Sequence, residues 1–212
     1  MKKSVYSLML FDEIVEQIDQ LAYLKNTNRS QLINDILAEH IGLETPEQKV
    51  QAVLESLEEN FENKLSVGQM VKNSSIQFGK SLKYKYRPKV RYSYEFIGNG
   101  GTKYAVLKIS SRTQSQDLNA HFQDFFDIIK GIESSHAVTD GQYGPGDTNH
   151  KFVREFKTSG EVTRDVESIT ETLTRYLQMI DSAMTHYFAD VDSGVNIAGE
   201  LEDIYTSYYK NE

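Results

Sequence analysis

The sequence predicts an α+β protein built in two parts, and three observations carry that reading. Residues 1–43 place one short alternating segment before two amphipathic helical segments, with a polar turn between them and a glycine at the end. Residues 82–112 hold two period-two segments on either side of a glycine-rich turn. From residue 115 onward the apolar positions return to helical spacing in long runs. The expected architecture is a strand-helix-helix dimerisation module at 1–43, a helical connector at 44–70 and a mixed α+β domain at 71–212. That last domain is expected to hold a basic hairpin at 82–112 and helices at about 115–133, 161–189 and 195–210.

The opening stretch, KSVYSLMLFDE from Lys3, alternates loosely and then meets two acids. Its apolar run ends after seven residues at Phe11, too short for the core of a secretory signal. No stretch reaches the roughly 18 apolar residues of a membrane span, and the chain has no cysteine for a disulfide framework. The expectation is a cytoplasmic protein without a membrane partner.

In DEIVEQIDQLAYLK, Ile14, Val15, Ile18, Leu21, Ala22 and Leu24 fall at helical spacing, with Asp12 and Glu13 in the first turn where the helix dipole favours anions. After the polar NTNR, the segment SQLINDILAEHIG offers Ser30 as N-cap, an apolar stripe of Leu32, Ile33, Ile36, Leu37 and Ile41, and Gly42 as a stop. A lone strand leaves its backbone groups unpaired, and about 40 residues cannot bury a core alone. A twofold partner would supply both needs.

This order of elements, with LFDE at the strand-to-helix junction and NRSQLINDIL at the turn and second helix, resembles the ribbon-helix-helix family of DNA-binding proteins. The resemblance covers about a fifth of the chain. It implies that two subunits pair their strands antiparallel and lay the ribbon in the major groove of double-stranded DNA. Strand parity would then turn Tyr6, Leu8 and Leu10 toward the helices and Lys3, Val5, Ser7 and Met9 toward the bases. Val5 and Met9 depart from the polar or basic groups the family usually carries there, and could touch thymine methyls but not hydrogen-bond to base edges. The alternative for these two is a strand buried on both faces against protein. The resemblance also implies phosphate contacts at the start of the second helix, from Asn28, Arg29, Ser30 and Gln31 with Lys25 nearby. For Ser30, capping and phosphate contact are equally open.

Next, TPEQKVQAVLESLEENFENKL reads as a helix capped by Thr45, with Pro46 first and Val50, Val53, Leu54, Leu57 and Phe61 along one side. Charge is then strongly uneven: the chain is −8 overall, yet residues 71–113 carry ten Lys and Arg against one acid, while residues 114–212 carry seven against eighteen. Within the basic block, Lys83, Lys85, Arg87, Lys89 and Arg91 alternate with Tyr84, Tyr86, Pro88, Val90 and Tyr92. On a strand this would set five cations on one face, with the GNGG at Gly98–Gly101 as the hairpin turn and TKYAVLKIS as the returning strand. Pro88 fits only an edge or an irregularity. The cationic face suggests a second nucleic-acid contact, while pairing with the acidic C-terminal segment or plain solvation would serve as well.

The remaining readings are a helix in SQDLNAHFQDFFDIIKGIE, a polar loop from Ser134 to His150, a short strand in KFVREFKT and a long helix. The long helix has a stripe of Val166, Ile169, Leu173, Leu177, Ile180 and Met184 that a helical dimer interface would bury. GQYGPGDT lacks the Gly-Lys-Ser/Thr ending of a phosphate loop and reads as a mobile loop. His121, His136 and His150 with Asp117, Asp140 and Asp147 have no convincing ligand spacing, so no metal or other cofactor is expected. Neither a nucleophile with its base nor a carboxylate pair stands out, and the chain does not read as an enzyme. The expected function is a homodimeric or higher-order prokaryotic transcriptional regulator, a repressor, with a protein partner or small effector acting at the C-terminal domain. The alternative is an antitoxin or an accessory DNA-binding factor of a mobile element.

Overall fold

A computed structural model describes residues 4–68, 74–97, 102–137, 141–144, 151–158, 165–193 and 196–209. It is mixed α+β, with six helices and an antiparallel sheet among the described residues. The chain divides into two compact units, Met1–Ala52 and Val53–Glu212.

In the first unit the first regular element is a helix. Residues 4–11 have no ladder partner among the described residues, so the expected strand is not formed there. A strand is held by inter-strand hydrogen bonds, and nothing in the described chain supplies them. Helix α1 (Asp12–Leu24) ends at Asn26, φ 51°, where Thr27 N–H bonds Ala22 O at 2.9 Å and Asn26 N–H bonds Tyr23 O at 3.1 Å. Helix α2 (Arg29–His40) ends the same way at Gly42, φ 72°, through Leu43 N–H to Ala38 O at 2.8 Å and Gly42 N–H to Glu39 O at 3.1 Å. Both are paired Schellman closures, which need a left-handed residue and explain the asparagine and the glycine.

Ser30 is not the N-cap of α2. Asn28 holds that place in extended backbone, φ −106° and ψ 159°, and its side chain accepts the Gln31 N–H at 3.0 Å. Asn caps at least as well as Ser, and capping at 28 brings Arg29 into the helix. Helix α3 (Pro46–Phe61) opens with a reciprocal capping box: Gln48 N–H donates to Thr45 Oγ1 at 3.2 Å, and Thr45 N–H donates to Gln48 Oε1 at 2.8 Å. The Thr45 hydroxyl also donates to Asp35 Oδ1 on α2 at 3.0 Å.

The division between units falls inside α3. Its later turns are no free connector, because Val53, Leu54, Leu57 and Phe61 are buried in the core of the second unit, with the Phe61 and Phe78 rings 5.0 Å apart. The second unit is a sheet in the order β1-β2-β3-β4-β6-β5, from β1 (Ser66–Val67), β2 (Ser75–Ser81), β3 (Lys89–Phe96), β4 (Lys103–Ser111), β5 (Gly141–Tyr143) and β6 (Phe152–Lys157). Strand β5 lies in the segment expected to be loop. Its three residues are too few to show a period.

Ile76, Phe78, Val90, Tyr92, Tyr94, Leu107, Ile109, Phe152 and Phe156 form the buried face of this sheet. Helices α4 (Gln116–Ser135) and α5 (Val166–Asp190) cover that face, and α6 (Ile197–Tyr209) packs behind them. Tyr92 Oη donates to Asp181 Oδ1 at 2.9 Å and Tyr94 Oη to Leu173 O at 2.8 Å, tying β3 to α5. Helix α5 starts one residue after its cap Asp165, later than the expected residue 161. Four residues of its stripe, Leu173, Leu177, Ile180 and Met184, are buried against the sheet and neighbouring helices, so no helical dimer interface is needed to cover them, while Val166 and Ile169 are half-buried.

One charge pair lies inside this core. Arg154 Nε–H donates to Glu133 Oε2 at 3.1 Å, Tyr176 Oη donates to Glu133 Oε1 at 2.6 Å, and the guanidinium lies 4.2 Å from the Tyr176 ring centre and 4.4 Å from that of Phe156. Burial holds the Tyr176 hydroxyl well above its ordinary pKa, with the Glu133 carboxylate adding to the effect.

Candidate nucleic-acid interface

The first unit is notable for what it leaves uncovered. Of the fifteen large apolar side chains exposed among the described residues, fourteen lie between Val5 and Leu43, and only Ala22 and Leu32 are buried over the same span. Both sides of the opening segment are in solvent: Val5 is 99% exposed and Met9 fully so, while Leu8 is 63% and Leu10 41% exposed. The helix stripes contribute Ile14, Leu21, Leu24, Ile36, Leu37 and Ile41 to the exposed set. Ser7 is exposed as well, and Lys3 lies outside the described residues.

The turn between α1 and α2 gathers the other expected DNA-facing residues. Lys25 is the exposed C-cap residue of α1, followed by Asn28, Arg29, Ser30 and the half-buried Gln31. Their hydrogen bonding is already partly committed. Asn28 closes the helix start, Gln31 Nε2–H donates to Asp35 Oδ1 at 2.9 Å, and Arg29 grips Asp19 on α1 with Nε–H to Oδ1 at 2.7 Å and a second bond from Nη2 to Oδ2. The Arg29 guanidinium holds the Asp19 carboxyl below its ordinary pKa. Sequence reading did not single out Asp19, because a pair ten residues apart across a turn leaves no local signature.

The basic block departs from its expected form. Residues 82–88 are a loop joining β2 to β3, and the five cations do not share one strand face. Leu82 N–H bonds Pro88 O at 3.0 Å across the loop base, Arg87 N–H bonds Tyr84 O at 2.9 Å, and Tyr86 and Arg87 have φ of 65° and 44°. Pro88 supplies no N–H to a ladder, and the two left-handed residues before it reverse the chain. Regular pairing resumes only at Lys89, where Lys89 and Arg91 face solvent and Val90 and Tyr92 face the core.

All five cations of the block are exposed. Lys85 pairs with Asp192 at 2.9 Å, a contact that lowers the Asp192 pKa, while Lys83, Arg87, Lys89 and Arg91 have no carboxylate partner among the described residues. Pairing with the acidic C-terminal segment thus occupies one of the five. The neighbouring Lys80, outside that set, pairs with Asp181 at 2.8 Å. The returning strand is β4, and the Gly98–Gly101 turn lies outside the described residues.

His121 lies 3.7 Å from Asp117 and packs edge-on to Tyr84, and His136 meets Glu202 at 3.1 Å. His150, Asp140 and Asp147 lie outside the described residues. No group of three or more acidic, histidine or cysteine side chains among the described residues could hold a metal ion. A groove of about 630 Å³ runs between α3 and α5, lined by Asn60, Thr170, Thr174 and Gln178 among others. Among the described residues no helix is long and apolar enough to cross a membrane.

No protein-family model matches this chain, and comparison with curated proteins and with solved structures finds no match to either.

Proposed function

We propose that the chain is a homodimeric DNA-binding protein that acts as a transcriptional regulator, with residues 4–43 forming a ribbon-helix-helix module. The observation that carries this reading is the concentration of exposed apolar side chains in residues 5–43, against two buried ones. A water-soluble module does not hold together on so small a core. Apolar exposure concentrated in this way marks an association surface, and on this reading a second copy covers both helix stripes and the strand's inner face. The unladdered residues 4–11 supply the second argument, since twofold pairing satisfies their backbone groups.

On this reading the outward side chains Val5, Ser7 and Met9, with Lys3, read bases in the major groove. Lys25, Asn28, Arg29, Ser30 and Gln31 face the sugar-phosphate backbone and set register without reading sequence. The exposure of Ser7 and of the α2 start is compatible with both roles.

The test is selection of bound fragments from the source genome by the full-length protein, followed by titration of the recovered duplex. Ser7→Ala and Met9→Ala should change sequence preference, whereas Arg29→Ala should weaken all duplexes alike. Unaltered preference in both strand variants, in a protein that still dimerises, would remove the ribbon as the reader.

A further inference from the structure

We propose that the 82–88 loop is a second nucleic-acid contact, a firmly seated projection whose cations engage phosphodiester groups and whose Tyr86 ring lies against a base or sugar. The inference rests on the reading that the chain binds DNA, and adds a binding surface in the second unit.

The loop is held at its base and free at its tip. Leu82 and Pro88 are buried and joined by the 3.0 Å bond across the loop. Tyr84 is packed edge-on against Phe188 with ring centres 5.4 Å apart, and its hydroxyl donates to Asp192 at 3.2 Å. Lys85 shares that carboxylate, so the near side of the loop is tied down at Asp192. Beyond these anchors the chain turns through Tyr86 and Arg87.

Two features of the tip are costly to a loop that only connects strands. Tyr86 and Arg87 are consecutive non-glycine residues at positive φ, a conformation that bulky side chains rarely adopt. Backbone strain of this kind persists where the surroundings enforce it, and gathers at functional positions. Its effect here is to send Tyr86 outward: the side chain is 88% exposed, the one large apolar side chain so exposed among the described residues of the second unit. A glycine or asparagine would make this turn without strain and without presenting a ring to water.

Charge points to the partner. Lys83, Arg87, Lys89 and Arg91 are exposed, unpaired among the described residues, and confined to nine positions of a chain whose net charge is −8. From Lys89 to Arg91 the spacing along the strand is about 6.6 Å, at roughly 3.3 Å per residue, which suits a polyanion with closely spaced charges. A membrane surface would call for several apolar side chains at the tip, and there is one. An acidic peptide would meet the cations, but offers Tyr86 a stacking partner only where its sequence carries one. Nucleic acid supplies both phosphates and π-faces.

The experiment uses the full-length protein with a fluorescent duplex and the matching single strand, each titrated over a range of salt. Replacing Lys83, Arg87 and Lys89 together with Gln should reduce the slope of log affinity against log salt on duplex by about 0.9 for each phosphate no longer neutralised. Tyr86→Asn, which keeps the left-handed backbone accessible, should lower affinity about 5- to 150-fold on the probe whose base the ring meets, and Tyr86→Phe should restore it. Weakening on the single strand alone assigns stacking on an unpaired base, and weakening on duplex assigns an approach to a groove. If the wild type binds and neither the triple variant nor Tyr86→Asn changes slope or affinity on either probe, the loop does not touch nucleic acid, while the reading of the first module stands. Failure of the wild type to bind either probe would remove both.

Discussion

Arg29, in the first turn of α2, grips the carboxylate of Asp19 on α1 through two hydrogen bonds, one of them 2.7 Å long. The pair joins the two helices across their turn, and also spends the charge of the one arginine at the place where, if the chain binds DNA as proposed, a phosphate would sit. A guanidinium already facing a carboxylate releases few counterions when it meets DNA. Asp19→Asn should therefore raise duplex affinity and steepen its salt dependence by up to about 0.9 per subunit. A lower affinity with an unchanged slope would mean that Asp19 serves mainly to aim Arg29.

Acid is a poor way to break this pair. The folded-state pKa of Asp19 is depressed below 3.8, chiefly by the hydrogen bond from Arg29. Its contribution to stability is therefore present above the ordinary value and is lost only as pH falls below it. Helix content of the first unit should not respond to this group between pH 7 and pH 5, as circular dichroism of wild type and Asp19→Asn in parallel would show.

The start of α2 separates two residues that look interchangeable in sequence. Asn28 caps the helix and Ser30 sits inside it. Asn28→Ala should destabilise the first unit by about 1 kcal/mol in urea unfolding, and Ser30→Ala by no more than a few tenths. Any drop in DNA affinity in Ser30→Ala would then report phosphate binding rather than a weakened helix.

The core pair of Glu133 and Arg154 should be unforgiving. Both side chains are at most 5% exposed, and removing one leaves a buried charge uncompensated. Glu133→Ala should cost about 3–5 kcal/mol of second-unit stability. The pair also constrains its neighbour strand. A methyl group at Gly141 would meet Glu155 O at 2.6 Å and Arg154 Cζ at 2.8 Å. Gly141→Ala should cost about 1–3 kcal/mol by overpacking, and thermal unfolding that matched wild type in either variant would refute this description of the core.

Legibility in the sequence followed the locality of the signal. The helices, the Thr45 cap, the Gly42 stop and strands β4 and β6 each write themselves in a few adjacent residues. The basic block misled because five cations at period two look like a strand face. A strand would send Tyr84 and Tyr86 to the same side, whereas Tyr84 packs on Phe188 and Tyr86 stands in solvent. Pro88 was the visible warning, and the left-handed turn before it had no glycine to announce it. At the candidate site, the residues of the first unit were legible as positions, but their commitments were not. Asp19 with Arg29 and Lys85 with Asp192 are tertiary pairings, and periodicity carries no trace of them.

The pairing of residues 4–11 across a twofold axis can be tested directly, because the chain has no cysteine of its own. Single cysteines placed in turn at Val5, Tyr6, Ser7, Leu8 and Met9 of the full-length protein would be oxidised and resolved on a denaturing gel. In an antiparallel pair, residues directly opposite have Cα atoms about 4.5–5.5 Å apart, inside the range a disulfide spans. Each residue of displacement from the axis adds about 6.8 Å to the offset along the strand between a position and its own copy. The ribbon predicts a covalent dimer of two 24.2 kDa chains with a sharp maximum at one or two adjacent positions and little elsewhere. A folded protein that forms no such dimer at any of the five positions, or forms it equally at all of them, would contradict it.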